Sequence, residues 1–258
     1  MGRYFLGPVS VVLLGLSPWG NGAAAATATT APPELLQTLE RIEAAANDRD
    51  LDAIMQFYSQ TFSSDTGFDH TLLRQTLEAF WQRYGTLSYD IELLSWEPTS
   101  SGGYTIETLT RVQGVQVRPE RRLSLSAEVT SRQRLQDGQV ASQEILSETS
   151  RLVSGSNPPT VDIQLPNTLT PGQSFTFDTV VIEPLQGRSL MGVAVDEGVT
   201  AVDFFEPRPV VFDVLTAGGL YKLGTAPNTP DQRWISAVII REDGLVVETR
   251  RVRVEPSP

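Results

Sequence analysis

Apolar residues recur at helical spacing in the first third of the chain. Pro32 and Pro33 open a stretch whose apolar side chains are Leu35, Leu36, Leu39, Ile42, Ala45 and Ala46, and proline is favourable in the first turn of a helix. Asp50 is placed to cap a second helix, whose apolar face holds Leu51, Ile54, Met55 and Tyr58. Asp69 is placed to cap a third, with Gly85 at its end and an apolar stripe of Leu73, Leu77, Phe80, Trp81 and Tyr84. The pattern predicts three helices.

The period changes to two at Leu87, where apolar and polar residues begin to alternate. Further alternating stretches begin at Tyr104 and at Leu123. Asp137-Gly138 has the sequence of a two-residue hairpin turn. The helices are therefore followed by an antiparallel meander of about four strands.

A polar stretch rich in chain-breaking residues, 154–159, predicts a linker between two domains. The sequence after it shows no helical period. It consists of short alternating stretches separated by turns, and its last hairpin turns at Glu242-Asp243-Gly244. Such a series predicts an all-β, immunoglobulin-like sandwich over residues 160–258.

The first 28 residues have the pattern of a secretory signal peptide, and residues 29–32 form a short linker. The apolar run from Phe5 to Leu16 is shorter than the ~20 residues that span a bilayer. Small residues follow it, and Ala26 and Ala28 each complete a cleavage pattern. We expect export to the periplasm or the extracellular space, with no membrane span in the mature chain.

Composition narrows the classes of function. The net charge of −11 disfavours nucleic acids as partners, because their binding needs clustered cationic charge. The chain has no cysteine and one histidine. These counts exclude disulfides, thiol nucleophiles, iron-sulfur clusters and multi-histidine metal sites. The sequence predicts no metal and no cofactor.

One run of the sequence resembles a known superfamily. The run AANDRDLDAIMQFYSQTFSSDTGFDHTLLRQTLEAFWQRY, followed by long strands, is similar to the nuclear transport factor 2-like superfamily, which includes SnoaL-like polyketide cyclases and ketosteroid isomerase. For residues 33–153 the resemblance implies a cystatin-like α+β cone, in which three helices pack on a strongly bent antiparallel sheet. Its open end would hold a cavity, which relatives use for catalysis or for binding. The expected fold is this cone followed by the all-β sandwich.

Four aromatic residues form the candidate lining of that cavity: Tyr58, Trp81, Tyr84 and Tyr89. All four lie on apolar faces that should converge, and such rings suit an apolar or planar ligand with a polar edge. They are equally consistent with ordinary core. His70 is the fifth candidate, because its side chain alone titrates near neutrality. Its ring would serve as a general base if it faced the cavity, and would be a solvated first-turn residue otherwise.

Arginine is concentrated in the predicted sheet. Arg132 and Arg134 continue the polar parity that begins at Ser124, so they should lie on the outer face. That face is either solvated or a polar interface, such as that of a homodimer.

We therefore expect an exported, non-catalytic, two-domain protein that binds a small apolar ligand or a protein partner. The alternative is an isomerase, cyclase or hydratase with its site in the cone. A third possibility is a structural module without a ligand.

Overall fold

The computed structural model describes residues 26–119, 121–185, 187, 189–199, 210–215 and 218–256. The predicted signal peptide thus lies almost entirely outside the described residues. Its last residues contribute to a short strand, β1 (Ala26–Thr27), and to a 3-10 helix (Ala28–Thr30).

Three α-helices occur in the described residues: α1 (Pro33–Asp48), α2 (Leu51–Met55) and α3 (His70–Arg83). The predicted caps are present, because Asp50 accepts a hydrogen bond from the Ala53 amide at 2.9 Å and Asp69 accepts one from Leu72 at 2.8 Å. The prediction that Tyr58 belongs to the second helix is wrong, because α2 ends before it. Tyr58 begins strand β2 (Tyr58–Ser64), which pairs in parallel with β6.

Twelve strands follow α3 in the described residues. They are β3 (Thr86–Pro98), β4 (Tyr104–Arg118), β5 (Arg121–Gln136), β6 (Gln139–Gly155), β7 (Val161–Gln164), β8 (Thr168–Leu169), β9 (Ser174–Val181), β10 (Met191–Gly198), β11 (Asp213–Val214), β12 (Gly219–Thr225), β13 (Asp231–Arg241) and β14 (Gly244–Val254). Asp137 and Gly138 have φ values of 52° and 75°, so the predicted turn between β5 and β6 is confirmed. Both residues of such a turn need positive φ.

The predicted fold class, an α+β cone with three helices packed on the sheet followed by a separate immunoglobulin-like sandwich, is wrong. The described residues are mostly β, with 57% in strands and 18% in helices. Eleven of the described strands belong to one largely antiparallel sheet. The reason lies in β6, which runs without a break to Gly155 and pairs with β14 from Thr149 onward. Alternation shows which residues share a face, but it does not show which strands pair.

The chain forms two compact units. The described residues of the first, here called the helical unit, are 26–116 and 126–148. Its strands follow the order β1-β3-β4-β5-β6. Helix α1 lies against β3: the Asn47 side chain donates to the Tyr89 carbonyl at 2.9 Å and accepts from the Tyr89 amide at 2.8 Å. Glu43 accepts from the Ile91 amide at 2.7 Å. These bonds satisfy backbone groups of β3 that strand pairing leaves open.

The second unit, here called the strand unit, comprises the described residues within 117–125 and 149–256. In it the end of β6 pairs with β14, followed by β13, β10 and β11, and a second sheet has the order β12-β9-β7. Its core is a cluster of buried apolar side chains that includes Phe177, Leu190, Ile235, Ala237, Ile239 and Val246. Gly155 is needed at its position, because a Cβ there would lie 2.4 Å from the Asp243 carbonyl oxygen.

Candidate functional site

The helical unit contains a small apolar cavity. Its volume is about 30 Å³. Helices α1, α2 and α3 and strands β2, β3 and β4 all contribute to the wall, which is formed by Ile42, Ala46, Ile54, Tyr58, Leu77, Phe80, Trp81, Tyr89, Ile91 and Thr110. The elements meet there because each turns its apolar face inward.

Local sequence spacing positions these side chains. Leu77, Phe80 and Trp81 lie three and four residues apart on α3, so they share one face of the helix. Tyr89 and Ile91 alternate on β3, and Ile91 is directly paired with Thr110 of β4. The wall thus combines helical and strand periodicity.

A buried hydrogen bond joins α3 to β3 at the cavity. The indole Nε1–H of Trp81 donates to the Tyr89 hydroxyl at 2.8 Å. Burial raises the pKa of Tyr89 well above its ordinary value of 10, although the bond from Trp81 acts in the opposite direction. The hydroxyl is therefore neutral at physiological pH, and its own hydrogen is not donated to any described residue.

Tyr58 is the second hydroxyl in the wall. Its side chain is 3% exposed, and its ring packs edge-on against Phe62 with the centroids 5.2 Å apart. Burial raises the pKa of Tyr58 to about 12. Within the part of the chain that the structure describes, no group accepts a hydrogen bond from this hydroxyl. Tyr58 therefore contributes a neutral, buried phenol ring to the cavity wall.

The structure brings together three of the five predicted residues, since Tyr58, Trp81 and Tyr89 all line the cavity. Tyr84 is buried outside it, with its ring 5.0 Å from that of Phe80 and against the backbone of Gly114. His70 opens α3 and lies 3.2 Å from the Gln60 side chain, away from the cavity wall.

Several residues of the cavity wall were not predicted from the sequence to line it. Ile42, Ala46, Ile54, Leu77 and Phe80 were recognisable as apolar faces, but nothing in the sequence separated them from ordinary core. Thr110 gave no signal, because its place opposite Ile91 depends on the register between β3 and β4.

A buried polar cluster lies next to the cavity on the same face of β4. Thr108 is two residues from Thr110, or roughly 7 Å along the strand, and its hydroxyl is 3.2 Å from that of Ser131. Ser131 also accepts hydrogen bonds from the side-chain amides of Gln133 and Gln143, each at 3.3 Å. Since these two bonds occupy both lone pairs, the hydrogen of Ser131 is the one that joins it to Thr108.

The predicted outer face of the sheet carries ion pairs within the sheet itself. Arg111 contacts Asp90 at 2.9 Å and Glu92 at 2.8 Å. Arg132 contacts Glu107 and Glu144, both at 2.8 Å. These arginines are satisfied by their own neighbours, and the homodimer through this face stays a prediction.

The wall offers little acid or base chemistry. None of the described residues that line the cavity has a carboxylate, an imidazole or an amine. No group of three or more acidic, histidine or cysteine side chains in the described residues is arranged to hold a metal ion. Among the helices described, none combines the length and the apolar character that crossing a bilayer requires.

Comparison with known proteins adds a family match in the second half of the chain. Residues 156–255 match a family described as a domain of unknown function, DUF8623. No curated protein matches the sequence.

Solved structures show similarity over 43% of the chain. They include protein Bd1075 of Bdellovibrio bacteriovorus, with 15% identity, a TM-score of 0.31 and 38% of that chain covered. A proposed scytalone dehydratase of Novosphingobium aromaticivorans has 10% identity, a TM-score of 0.36 and 80% coverage. An LEH-like epoxide hydrolase of M. tuberculosis has 13% identity, a TM-score of 0.29 and 80% coverage. TM-scores this low do not establish a shared fold, so membership of the nuclear transport factor 2-like superfamily stays a prediction.

Proposed function

We propose that this is an exported, non-catalytic protein whose helical unit binds a small, uncharged, apolar molecule in the cavity. The observation that carries the proposal is the composition of the wall, in which apolar and aromatic side chains surround two neutral hydroxyls. Apolar cavities inside proteins stay dry and take up small apolar guests. A volume of about 30 Å³ limits the guest to very few atoms.

The same wall argues against proton-transfer catalysis. A general acid or base works best when its pKa lies near the working pH. Burial holds the pKa of Tyr58 at about 12 and raises that of Tyr89. His70, the remaining candidate, contacts Gln60 rather than the cavity. An isomerase, cyclase or hydratase would therefore need its proton shuttle from elsewhere.

Binding can be tested with xenon, a single apolar atom without any hydrogen-bonding group. We expect weak binding, visible by xenon NMR and as a rise in Tm that depends on the xenon pressure. Ala46→Val, which places two methyl groups in the cavity, should abolish binding. Ala44→Val makes the same change on the exposed side of α1 and should leave binding intact.

Two results would overturn the proposal. One is a lack of binding to the wild-type protein, or binding that Ala46→Val leaves unchanged. The other is turnover of a small ketone or alkene by the wild type that is lost in Tyr58→Phe or His70→Ala, which would favour the enzyme.

Export is the part of the proposal supported by sequence alone, through the apolar run in residues 5–16 and the small residues after it. Sequencing the amino terminus of the mature protein tests it. We expect a chain that begins directly after Ala26 or Ala28, and an intact amino terminus in the cytoplasm would contradict export.

A further inference from the structure

The strand unit has an apolar stripe on the outer face of its second sheet. Alternate residues of β9 are buried, so the residues between them, Asp178 and Val180, point outward. Tyr221 of β12 lies directly opposite Asp178, with Val180 diagonal to it on the same face. The exposed side chains of the stripe are Leu223, Tyr221, Val180 and Ile182. Single exposed apolar residues are ordinary, whereas a contiguous set marks an interaction surface.

The stripe borders an open edge of the sheet. Among the described strands, β12 pairs with β9 alone. The Gly218 carbonyl and the Ala226 amide are hydrogen-bonded to the backbone at the two ends of β9, at 2.9 and 2.8 Å. Hydrogen-bonded positions alternate in an antiparallel pair, so every second residue from Gly218 to Ala226 bonds to β9. The N–H and C=O groups of Tyr221 and Leu223 therefore face the open edge.

Strand β12 lacks the features that keep most edge strands from pairing. Such edges are blunted by prolines, bulges, short length or outward charges. The seven residues of β12 include no proline, and their register with β9 is continuous. The single charge, Lys222, lies on the opposite face, with Nζ 3.9 Å from the Asp213 carboxylate. The side of β12 that carries the stripe is therefore open to a further strand.

The charge beside the stripe indicates what kind of segment fits there. The Asp178 carboxylate forms no ion pair with any described residue. A strand added to β12 would lie two strand spacings from β9, or roughly 10 Å. An extended arginine opposite Tyr221 spans this distance, with its planar guanidinium over the Tyr221 ring and its end at Asp178. Leu223 and Val180 favour apolar side chains at the next outward positions of that strand.

We propose that the open edge of β12 is a docking site for an extended segment of another protein, which presents an arginine between two apolar side chains. Backbone hydrogen bonds to Tyr221 and Leu223 would supply affinity, and the stripe with Asp178 would supply selectivity. The net charge of −11 also favours a cationic partner.

A second copy of the chain fits this edge less well. Two-fold pairing along the whole of β12 would bring two Lys222 side chains opposite each other, and like charges in that position are destabilising. No register would place a cation beside Asp178, because the outward side chains of β12 are uncharged.

A short peptide tests the proposal. The peptide acetyl-TVTRTVT-amide has one arginine between two valines on the same face, and it reads identically in both directions. We expect weak binding, with a Kd on the order of 1 mM. At a peptide concentration about ten times the Kd, hydrogen exchange of the Tyr221 and Leu223 amides should slow roughly tenfold, as followed by NMR. The amides of Leu220 and Lys222 already bond to β9 and serve as internal controls.

Charge reversal tests the assignment of Asp178. Asp178→Arg should weaken binding of the arginine peptide roughly two- to fivefold and strengthen binding of acetyl-TVTETVT-amide by a similar factor. Asp178→Asn should weaken the arginine peptide without favouring the glutamate peptide. Asp162→Asn is the matched control and should change neither affinity, because Asp162 lies on β7, one strand further from the edge.

Several results would overturn the inference. One is unchanged exchange of the Tyr221 and Leu223 amides in the presence of the peptide. Another is equal binding of a peptide that is N-methylated at alternate residues and cannot pair with an edge. An affinity that neither Asp178 variant alters would exclude the charge contact. Protection of both amides that grows with protein concentration, without peptide, would assign the edge to a second copy. These outcomes are independent of the xenon experiment, because no residue of the strand unit lines the cavity.

Discussion

The interiors of the two units are built differently. The helical unit encloses a cavity, two neutral phenol hydroxyls and a polar cluster centred on Ser131. The strand unit has an apolar core in which Leu190, Ala237, Ile239 and Val246 are completely buried. Unfilled space reduces stability, and so does a buried polar atom without a hydrogen-bond partner, such as Oε1 of Gln143 beside Ser131. The helical unit therefore carries the features expected of a binding site, and the strand unit those of a stable framework.

The largest effect should come from the polar cluster. Ser131→Ala removes the shared partner of Thr108, Gln133 and Gln143. Leaving three buried polar groups without it should lower the free energy of unfolding by roughly 3 kcal/mol. Urea denaturation would measure the loss, with Ser126→Ala on the exposed face of β5 as the control. Equal, small effects of both changes would show that the cluster is not a cooperative part of the interior.

The next effect concerns alkaline pH. Burial raises the pKa of Tyr58 to about 12 in the folded protein, whereas an unfolded chain ionises near pH ~10. The folded state thus binds the proton more tightly. Its contribution is fully present below pH ~10 and is lost as the pH rises toward 12, by about 2 kcal/mol at pH ~11.5.

Denaturation curves between pH 8 and 11.5 would show this loss. Tyr58→Phe should flatten the alkaline decline, while Tyr221→Phe, an exposed change in the strand unit, should not. A decline of the same steepness in wild type and Tyr58→Phe would mean that Tyr58 does not titrate differently on folding.

One substitution should have opposite signs in the two interiors. Ala237→Val adds two methyl groups to a filled core, where Ala237 is fully buried, and should destabilise by about 2 kcal/mol. Ala46→Val adds them to the cavity and should stabilise by about 1 kcal/mol after the helix-propensity cost of valine. Ala44→Val, on the exposed side of α1, measures the helix-propensity cost of valine alone. Destabilisation by both buried changes would indicate that the helical unit is as tightly packed as the strand unit.

Sequence reasoning succeeded where structure is set locally. The limits of α1 and α3 follow from a 3.6-residue period, and the caps at Asp50 and Asp69 act within three residues. Helical register also separated Trp81, which lines the cavity, from His70, which does not.

The sequence did not predict features that depend on pairing between strands far apart in the chain. Tyr58 fits the apolar face of a helix as well as the start of a strand, and its pairing with β6 resolves the choice. The continuation of β6 toward Gly155 likewise depends on a partner strand almost a hundred residues away. Thr110 enters the cavity wall only through the register of β3 and β4.

The smallest effect concerns one buried hydroxyl beside the apolar core of the strand unit. Thr179 is fully buried on the core face of β9, and its hydroxyl oxygen has no hydrogen-bond partner among the described residues. Thr179→Val replaces the hydroxyl with a methyl group of similar size. It should raise the free energy of unfolding by about 1 kcal/mol, because an unpaired buried hydroxyl is costly. Thr176→Val, on the exposed face of β9, controls for the strand preference of valine. Destabilisation by Thr179→Val, beyond the effect of the control, would show that the Thr179 hydroxyl makes a stabilising hydrogen bond in the folded protein.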